Sequence, residues 1–133
     1  MDKINEIFTE VVQVIEDSIG TPKEDIKLES TLFEELEVDS IDMIDILYDL
    51  ESKYDVTLKV SDIELKAKEE LGETPFDVDG VITKEGLDVL KKHMTEIDQN
   101  ELTEGLTVHK LVQLFTVHSL CKIVLYKIEN KDN

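Results

Sequence analysis

The residues best placed for chemistry lie in the run Leu36-Glu37-Val38-Asp39-Ser40-Ile41-Asp42-Met43-Ile44-Asp45. A single hydroxyl stands between two aspartates where a helical apolar pattern begins. Ser40 stands where a helix N-terminus is expected, and the free backbone N–H groups and helix dipole there favour an anion. Taken alone, Ser40 also reads as an ordinary N-cap, with Asp39 and Asp42 placing negative charge by the positive helix end. The chain has no recognisable Ser-His-Asp arrangement that would make this hydroxyl a nucleophile in its own right.

Other reactive side chains point to structure. His93, His109 and His118 show no metal-ligand spacing with acids or Cys121, and no metal site is expected. Cys121 falls at helical spacing with Val117, Leu120, Val124, Leu125 and Ile128, as a core residue does. Asp77-Val78-Asp79-Gly80-Val81-Ile82 imitates part of a calcium loop. With Gly80 at the obligatory turn, Pro75 takes the first ligand position and Gly86 stands where the bidentate glutamate belongs, so an EF-hand is rejected. Neither a glycine-rich phosphate loop nor a dinucleotide fingerprint is present, and no catalytic role is expected.

The elements that must position Ser40 follow from periodicity. Ile4, Ile7, Phe8, Val11, Val12, Ile15 and Ile19 predict a first helix that Gly20-Thr21-Pro22 stops. Residues 21–39 read as a packed acidic loop with one short turn at 32–36. The second helix is expected over 40–54, with Met43, Ile46, Leu47, Leu50 and Tyr54 as its core stripe. Val56, Leu58 and Val60 alternate with polar residues in an extended connection. Ser61-Asp62-Ile63-Glu64 reads as a capping box opening a helix that Gly72 ends. Residues 73–82 are expected to be loop, 83–94 helix and 95–104 a polar linker. Thr107-Val108-His109-Lys110-Leu111 and Thr116-Val117-His118-Ser119-Leu120 form a near-repeat that predicts two consecutive helix starts, with His109 and His118 as surface or capping residues. The chain reads as all-α, a single domain over 1–133.

Composition narrows the partners. The chain has 133 residues and a net charge of -18, from 32 acids against 14 basic residues, every one of them lysine. Phosphates of a nucleic acid would be repelled over most of this surface, so no nucleic-acid partner is expected. Basic protein surfaces fit better, with steering that weakens as salt rises. A lone cysteine excludes an intramolecular disulfide. The first residues lack a signal-peptide pattern and no apolar run could span a bilayer, so the expectation is a cytoplasmic monomer with no membrane span.

The segment around Ser40 resembles the acyl carrier protein family, whose hallmark Asp-Ser-Leu opens the second helix and stands here as Asp39-Ser40-Ile41. The resemblance extends back through Ser30-Thr31-Leu32-Phe33, forward through Asp49-Leu50-Glu51-Ser52-Lys53-Tyr54-Asp55-Val56, and resumes at Phe115-Thr116-Val117-His118-Ser119-Leu120. It implies a four-helix bundle, covalent 4'-phosphopantetheine on Ser40 with Asp39 in the motif, and loading by a separate phosphopantetheinyl transferase. The core is expected at about 1–62 and 107–129, with a helical insertion at about 63–106 before the last helix. The implied role is to hold acyl groups as thioesters for enzymes of lipid synthesis, acyltransferases or synthases with basic docking surfaces. Leu47, Leu50, Val56 and Ile63 are candidates to line the family's acyl cavity, and equally ordinary core residues.

At 100° per residue the second helix carries two further stripes. Ile41, Ile44 and Tyr48 form a narrow apolar one, and Asp42, Asp45 and Asp49 run alongside. Carboxylates that steer a basic partner beside apolar groups that bury on contact make a docking surface, with Asp39 and Glu51 beside it. The competing reading packs Ile41 and Ile44 under the preceding loop. The resemblance also implies a glycine where Glu37 stands, and if that glycine takes positive φ the approach to Ser40 must differ. Within the insertion, Asp79-Gly80-Val81-Ile82-Thr83-Lys84-Glu85-Gly86-Leu87 resembles a segment of long carriers of the lipid A acylation type. Fatty acid, polyketide and lipid A synthesis stay open. From a different class, an acidic helical adaptor for a basic partner, or a calcium sensor, would explain the charge without a prosthetic group.

Overall fold

The structure, a computed structural model, describes residues 2–59 and 65–130. In chain order its elements are α1 (Asp2–Ile19), a 3-10 turn (Lys23–Asp25), α2 (Ser40–Tyr54), α3 (Leu65–Leu71), β1 (Asp77–Val78), β2 (Val81–Ile82), α4 (Lys84–His93), a 3-10 turn (Gln99–Glu101), α5 (Val108–Gln113) and α6 (Val117–Glu129). The expected helices are present, and the class is all-α. The expected capping box at Ser61 to Glu64, and with it Val60 and Ile63, lies outside the described residues.

The core forms where three apolar stripes meet. α1 contributes Ile4, Ile7, Val11, Val12, Val14 and Ile15, α2 contributes Met43, Ile46, Leu47 and Leu50, and α6 contributes Val117, Leu120, Cys121 and Val124. α1 packs against both α2 and α6. Each aliphatic side chain fully removed from water there contributes roughly 1.5–3 kcal/mol. Lys53 of α2 reaches Glu10 of α1 at 3.0 Å, which fixes the two helices side by side at that end. α1 stops at Gly20, whose φ of +79° lets its amide turn back to the Glu16 carbonyl at 2.8 Å.

The long segment between α1 and α2 is stitched to the start of α6. The His118 amide donates to the Leu28 carbonyl at 2.9 Å, Val117 to Ser30 at 2.9 Å, and Leu32 to Phe115 at 3.0 Å. Thr31 and Thr116 form the antiparallel bridge at the centre of this contact. A loop carrying so many amides can be buried only if they are paired, and these pairs bury Ile26, Ser30, Leu32 and Val38.

Residues 73–82, expected as loop, contain a short hairpin. β1 and β2 pair antiparallel, with Asp77 opposite Ile82 and Val78 opposite Val81. Asp79 (φ 52°) and Gly80 (φ 85°) both take the positive φ that a two-residue hairpin turn of this hand demands. The Asp-Gly pair between two valines was the signal, and it makes the supposed calcium-loop fragment a turn, with Asp77 Oδ2 accepting from the Gly80 amide at 3.2 Å. β2 continues to the start of α5, where Val81 bridges Thr107, the Ile82 amide meets the Leu106 carbonyl at 2.9 Å, and Val108 donates to Gly80 at 2.9 Å. The near-repeat therefore marks two similar joints. Thr107 and Thr116 each cap a helix and each pair with an earlier segment.

α4, capped by Thr83, packs on α3. Gly86 permits the hairpin to close over it, since a Cβ there would lie 2.6 Å from the Phe76 carbonyl oxygen. Polar contacts fasten the segment to α6. Ser119 Oγ donates to Glu96 at 2.6 Å, Lys122 Nζ to Glu96 at 2.8 Å and to the His93 carbonyl at 2.7 Å, and Tyr126 donates to Glu69 at 2.6 Å. Between α3 and α4, Glu70 accepts from Lys92 at 2.8 Å and meets the His93 ring. The Lys92 hydrogen bond, then that of His93, holds the Glu70 carboxyl below its usual range.

Candidate functional site

The start of α2 corrects one sequence expectation. The N-cap is Asp39, in extended backbone, and Ser40 is the first helical residue. Asp39 Oδ1 accepts the Asp42 amide at 2.7 Å and Asp42 Oδ2 accepts the Asp39 amide at 3.2 Å, a capping box built from two aspartates. Asp39 wins the position for two reasons. Its carboxylate brings a negative charge to the positive helix end. Val38, buried and hydrogen-bonded to the Leu32 carbonyl at 3.0 Å, delivers the following residue to the cap. Ser40 is thereby left exposed, with a hydroxyl that takes no part in the cap.

This geometry suits an esterified anion. In the first turn the helix itself cannot pair the amides of Ser40 and Ile41, while Asp42 and Met43 donate to Asp39. A phosphodiester on Ser40 would have unpaired donors and the helix dipole beside it. The two nearest carboxylates are turned to amides through the reciprocal cap.

On the approach to Ser40, Glu37 takes φ +56°, in the left-handed region that favours glycine. A left-handed conformation in a non-glycine residue costs roughly 1–2 kcal/mol. The conformation is imposed from both sides, by the Leu36 amide on the Thr31 carbonyl at 3.1 Å and by Val38 on Leu32. The expected turn at 32–36 is present, and Thr31 and Glu35 close it by exchanging bonds at 3.1 and 3.0 Å.

The two stripes of α2 emerge as drawn. Ile41, Ile44 and Tyr48 are 69%, 65% and 66% exposed, which rules out packing of the isoleucines under the loop. Asp45 and Asp49 are exposed beside them, and Asp42 is half-buried in the cap. Asp39 and Glu51 have internal work: Asp39 caps α2, and Glu51 accepts the Leu58 amide at 2.7 Å. Leu47 and Leu50 are buried and Val56 half-buried, while Ile63 lies outside the described residues.

The remaining candidates are structural. Burial pushes the Cys121 thiol up to about 12, which leaves it protonated at neutral pH. His109 is exposed, His118 is half-buried, and the two caps beside them are made by Thr107 and Thr116. Among the described residues no three His, Cys, Asp or Glu side chains gather as a metal would require. No helix among them is long and apolar enough to cross a membrane. Sequence reasoning missed Glu37 as a strained residue and Asp39 as the cap. The pattern Asp-x-x-Asp ahead of the apolar stripe carried the second of these.

Residues 9–79 match the family described as phosphopantetheine attachment site. The chain is similar to the acyl carrier protein of Lactococcus lactis subsp. cremoris (strain MG1363), at 44% identity over 50 residues, 38% of this chain and 67% of that protein. It is 34% identical over 62 residues to the acyl carrier protein of Campylobacter lari, 47% of this chain and 80% of that protein. With the acyl carrier protein of Thermotoga maritima it shares 32% identity over 59 residues, 44% of this chain and 73% of the other. No solved structure matches the chain.

Proposed function

The chain belongs to the acyl carrier protein family and bears a covalent 4'-phosphopantetheine, and on that premise we propose that Ser40 is the residue to which the group is attached. The observation that carries this is the division of labour at the head of α2. Asp39 holds the helix end, so the neighbouring Ser40 hydroxyl is exposed at an anion-favouring terminus with no structural bond to lose. In loading, Ser40 Oγ forms a bond to phosphorus as the pyrophosphate bond of coenzyme A breaks. Adenosine bisphosphate leaves, and the serine proton passes to a base of the transferase.

Once attached, the group supplies a thiol that holds an acyl chain as a thioester. The residues of the chain present it. The amides of Ser40 and Ile41 face its root, Asp39 and Asp42 hold the helix end in place by capping it, and Ile41, Ile44 and Tyr48 with Asp42, Asp45 and Asp49 receive the partner enzymes. Those partners are a phosphopantetheinyl transferase and the acyltransferases or synthases of lipid synthesis, each offering a basic surface. The protein performs no reaction itself; it delivers.

Incubation with a phosphopantetheinyl transferase, coenzyme A and magnesium, followed by intact-mass analysis, tests the proposal. Wild type gains one phosphopantetheine and Ser40→Ala gains none. An unmodified wild type beside a fully modified ordinary carrier would instead favour an acidic adaptor without a prosthetic group. The mass of the native thioester distinguishes fatty acid, polyketide and lipid A cargo.

A further inference from the structure

A chain of bonds joins the segment after α4 to the head of α2. The Glu96 side chain is only 5% exposed and holds two partners, Ser119 Oγ at 2.6 Å and Lys122 Nζ at 2.8 Å. Ser119 and Thr116 are buried and cap each other's amides, with their hydroxyl oxygens 3.3 Å apart. A serine hydroxyl has one proton to give, and a carboxylate can only accept. Glu96 therefore draws the Ser119 proton to itself, and Thr116 must be the donor between the two hydroxyls. Thr116 is also the residue bridged to Thr31, while its neighbours Val117 and Phe115 hold Ser30 and Leu32. Leu32 in turn accepts the amide of Val38, the residue that leads into the Asp39 cap and Ser40.

We infer that Glu96 is a positioning residue for the modification of Ser40, acting through Ser119 and Thr116 on the loop that presents the serine. This rests on the attachment reading. Lys122 divides its ammonium between Glu96 Oε1 and the His93 carbonyl, which leaves Oε2 aimed at Ser119. In E96Q a single carbonyl oxygen cannot serve both donors. With that oxygen on Lys122, the amide donates to Ser119, whose proton then turns toward Thr116. The charge-assisted bond is lost and the direction of the hydroxyl pair reverses, so the joint that anchors residues 30–32 is held less firmly. The partners of Glu96 belong to α6, apart from the exposed stripes of α2.

The test is steady-state loading of E96Q, S119A, their double variant and Y126F by a phosphopantetheinyl transferase with coenzyme A, well below each melting temperature. Expected for E96Q is a kcat lowered about threefold to tenfold with KM unchanged, because the docking stripes are untouched. S119A removes the same link from the α6 side and gives the same loss. The double variant is no worse than either single one, as for two groups in one link. Y126F breaks a bond of similar length, the 2.6 Å contact of α6 with Glu69, that does not involve Ser119, and it loads like wild type. Should E96Q not fold, the comparison of S119A with Y126F decides the matter. Wild-type kcat in E96Q or S119A, a change in KM alone, additive losses in the double variant, or an equal loss in Y126F would overturn the inference while leaving the attachment reading intact. Wild type that accepts no group at all would overturn that reading, and this inference with it.

Discussion

The Asp39 carboxylate accepts the Asp42 amide at 2.7 Å, and Asp42 returns a bond to the Asp39 amide at 3.2 Å. This reciprocal pair separates two tasks that one serine would otherwise combine. The helix end is closed by acids, and the hydroxyl next to them takes no part in the cap.

Stability should follow that separation. Asp39→Ala removes the cap and is expected to cost about 1 kcal/mol in urea unfolding, whereas Asp39→Asn loses much less. Ser40→Ala, whose hydroxyl takes no part in the cap, should stay within about 0.5 kcal/mol of wild type. Equal losses for Asp39→Ala and Ser40→Ala would show that the serine shares the cap.

Ile44 and Tyr48 are exposed, so their removal should act on partners rather than on folding. Ile44→Ser and Tyr48→Ala are expected to leave the melting temperature nearly unchanged and to weaken binding of an acyl-handling enzyme, read by titration. Asp45→Lys with Asp49→Lys should flatten the salt dependence of that binding, because the steering charge is lost. Binding unaffected by all four substitutions would place the docking surface elsewhere.

Gly86 meets a sterically closed position. A Cβ there would lie 2.6 Å from the Phe76 carbonyl and 2.9 Å from the Ile82 side chain. Gly86→Ala must push the hairpin off α4, and a loss of roughly 1–3 kcal/mol is expected, the range of overpacking. Unchanged thermal unfolding would mean that the hairpin yields freely.

Cys121 makes a prediction about alkaline pH. Its thiol titrates at about 12 in the folded chain because burial penalises the thiolate. An unfolded cysteine titrates near ~8.5. The thiol therefore stabilises the fold fully below about pH 8.5, and this contribution is lost as pH rises toward about 12, since only the unfolded chain releases the proton in that window. Cys121→Ala should make stability fall less steeply there. Native Ser40→Ala protein, which carries no prosthetic thiol, should resist a thiol reagent at pH 8 until it unfolds, and rapid native labelling of it would contradict the burial.

Much of this was legible in order along the chain. Three-and-four spacing located α1, the core stripe of α2 and the α6 stripe with Cys121, because a helix must bury one face and its period is fixed by geometry. The apolar stripe Ile41, Ile44 and Tyr48 could be drawn from that same period. Whether it faced solvent could not, because exposure depends on where the loop 21–39 goes, and that loop is bonded to residues 115–118 at the far end of the chain. The hairpin at Asp79-Gly80 had a local signal that the nearby acids and Pro75 obscured.

The sequence by itself determined the helices, the acidic face and the serine at the head of α2, since these rest on local periodicity and on residue types at adjacent positions. Only the tertiary structure decided that Ser40 is exposed and that Glu37 is forced to a positive φ. Each depends on Val38 being buried and on Leu32 being anchored to Phe115, contacts between residues far apart in the chain that no local pattern encodes.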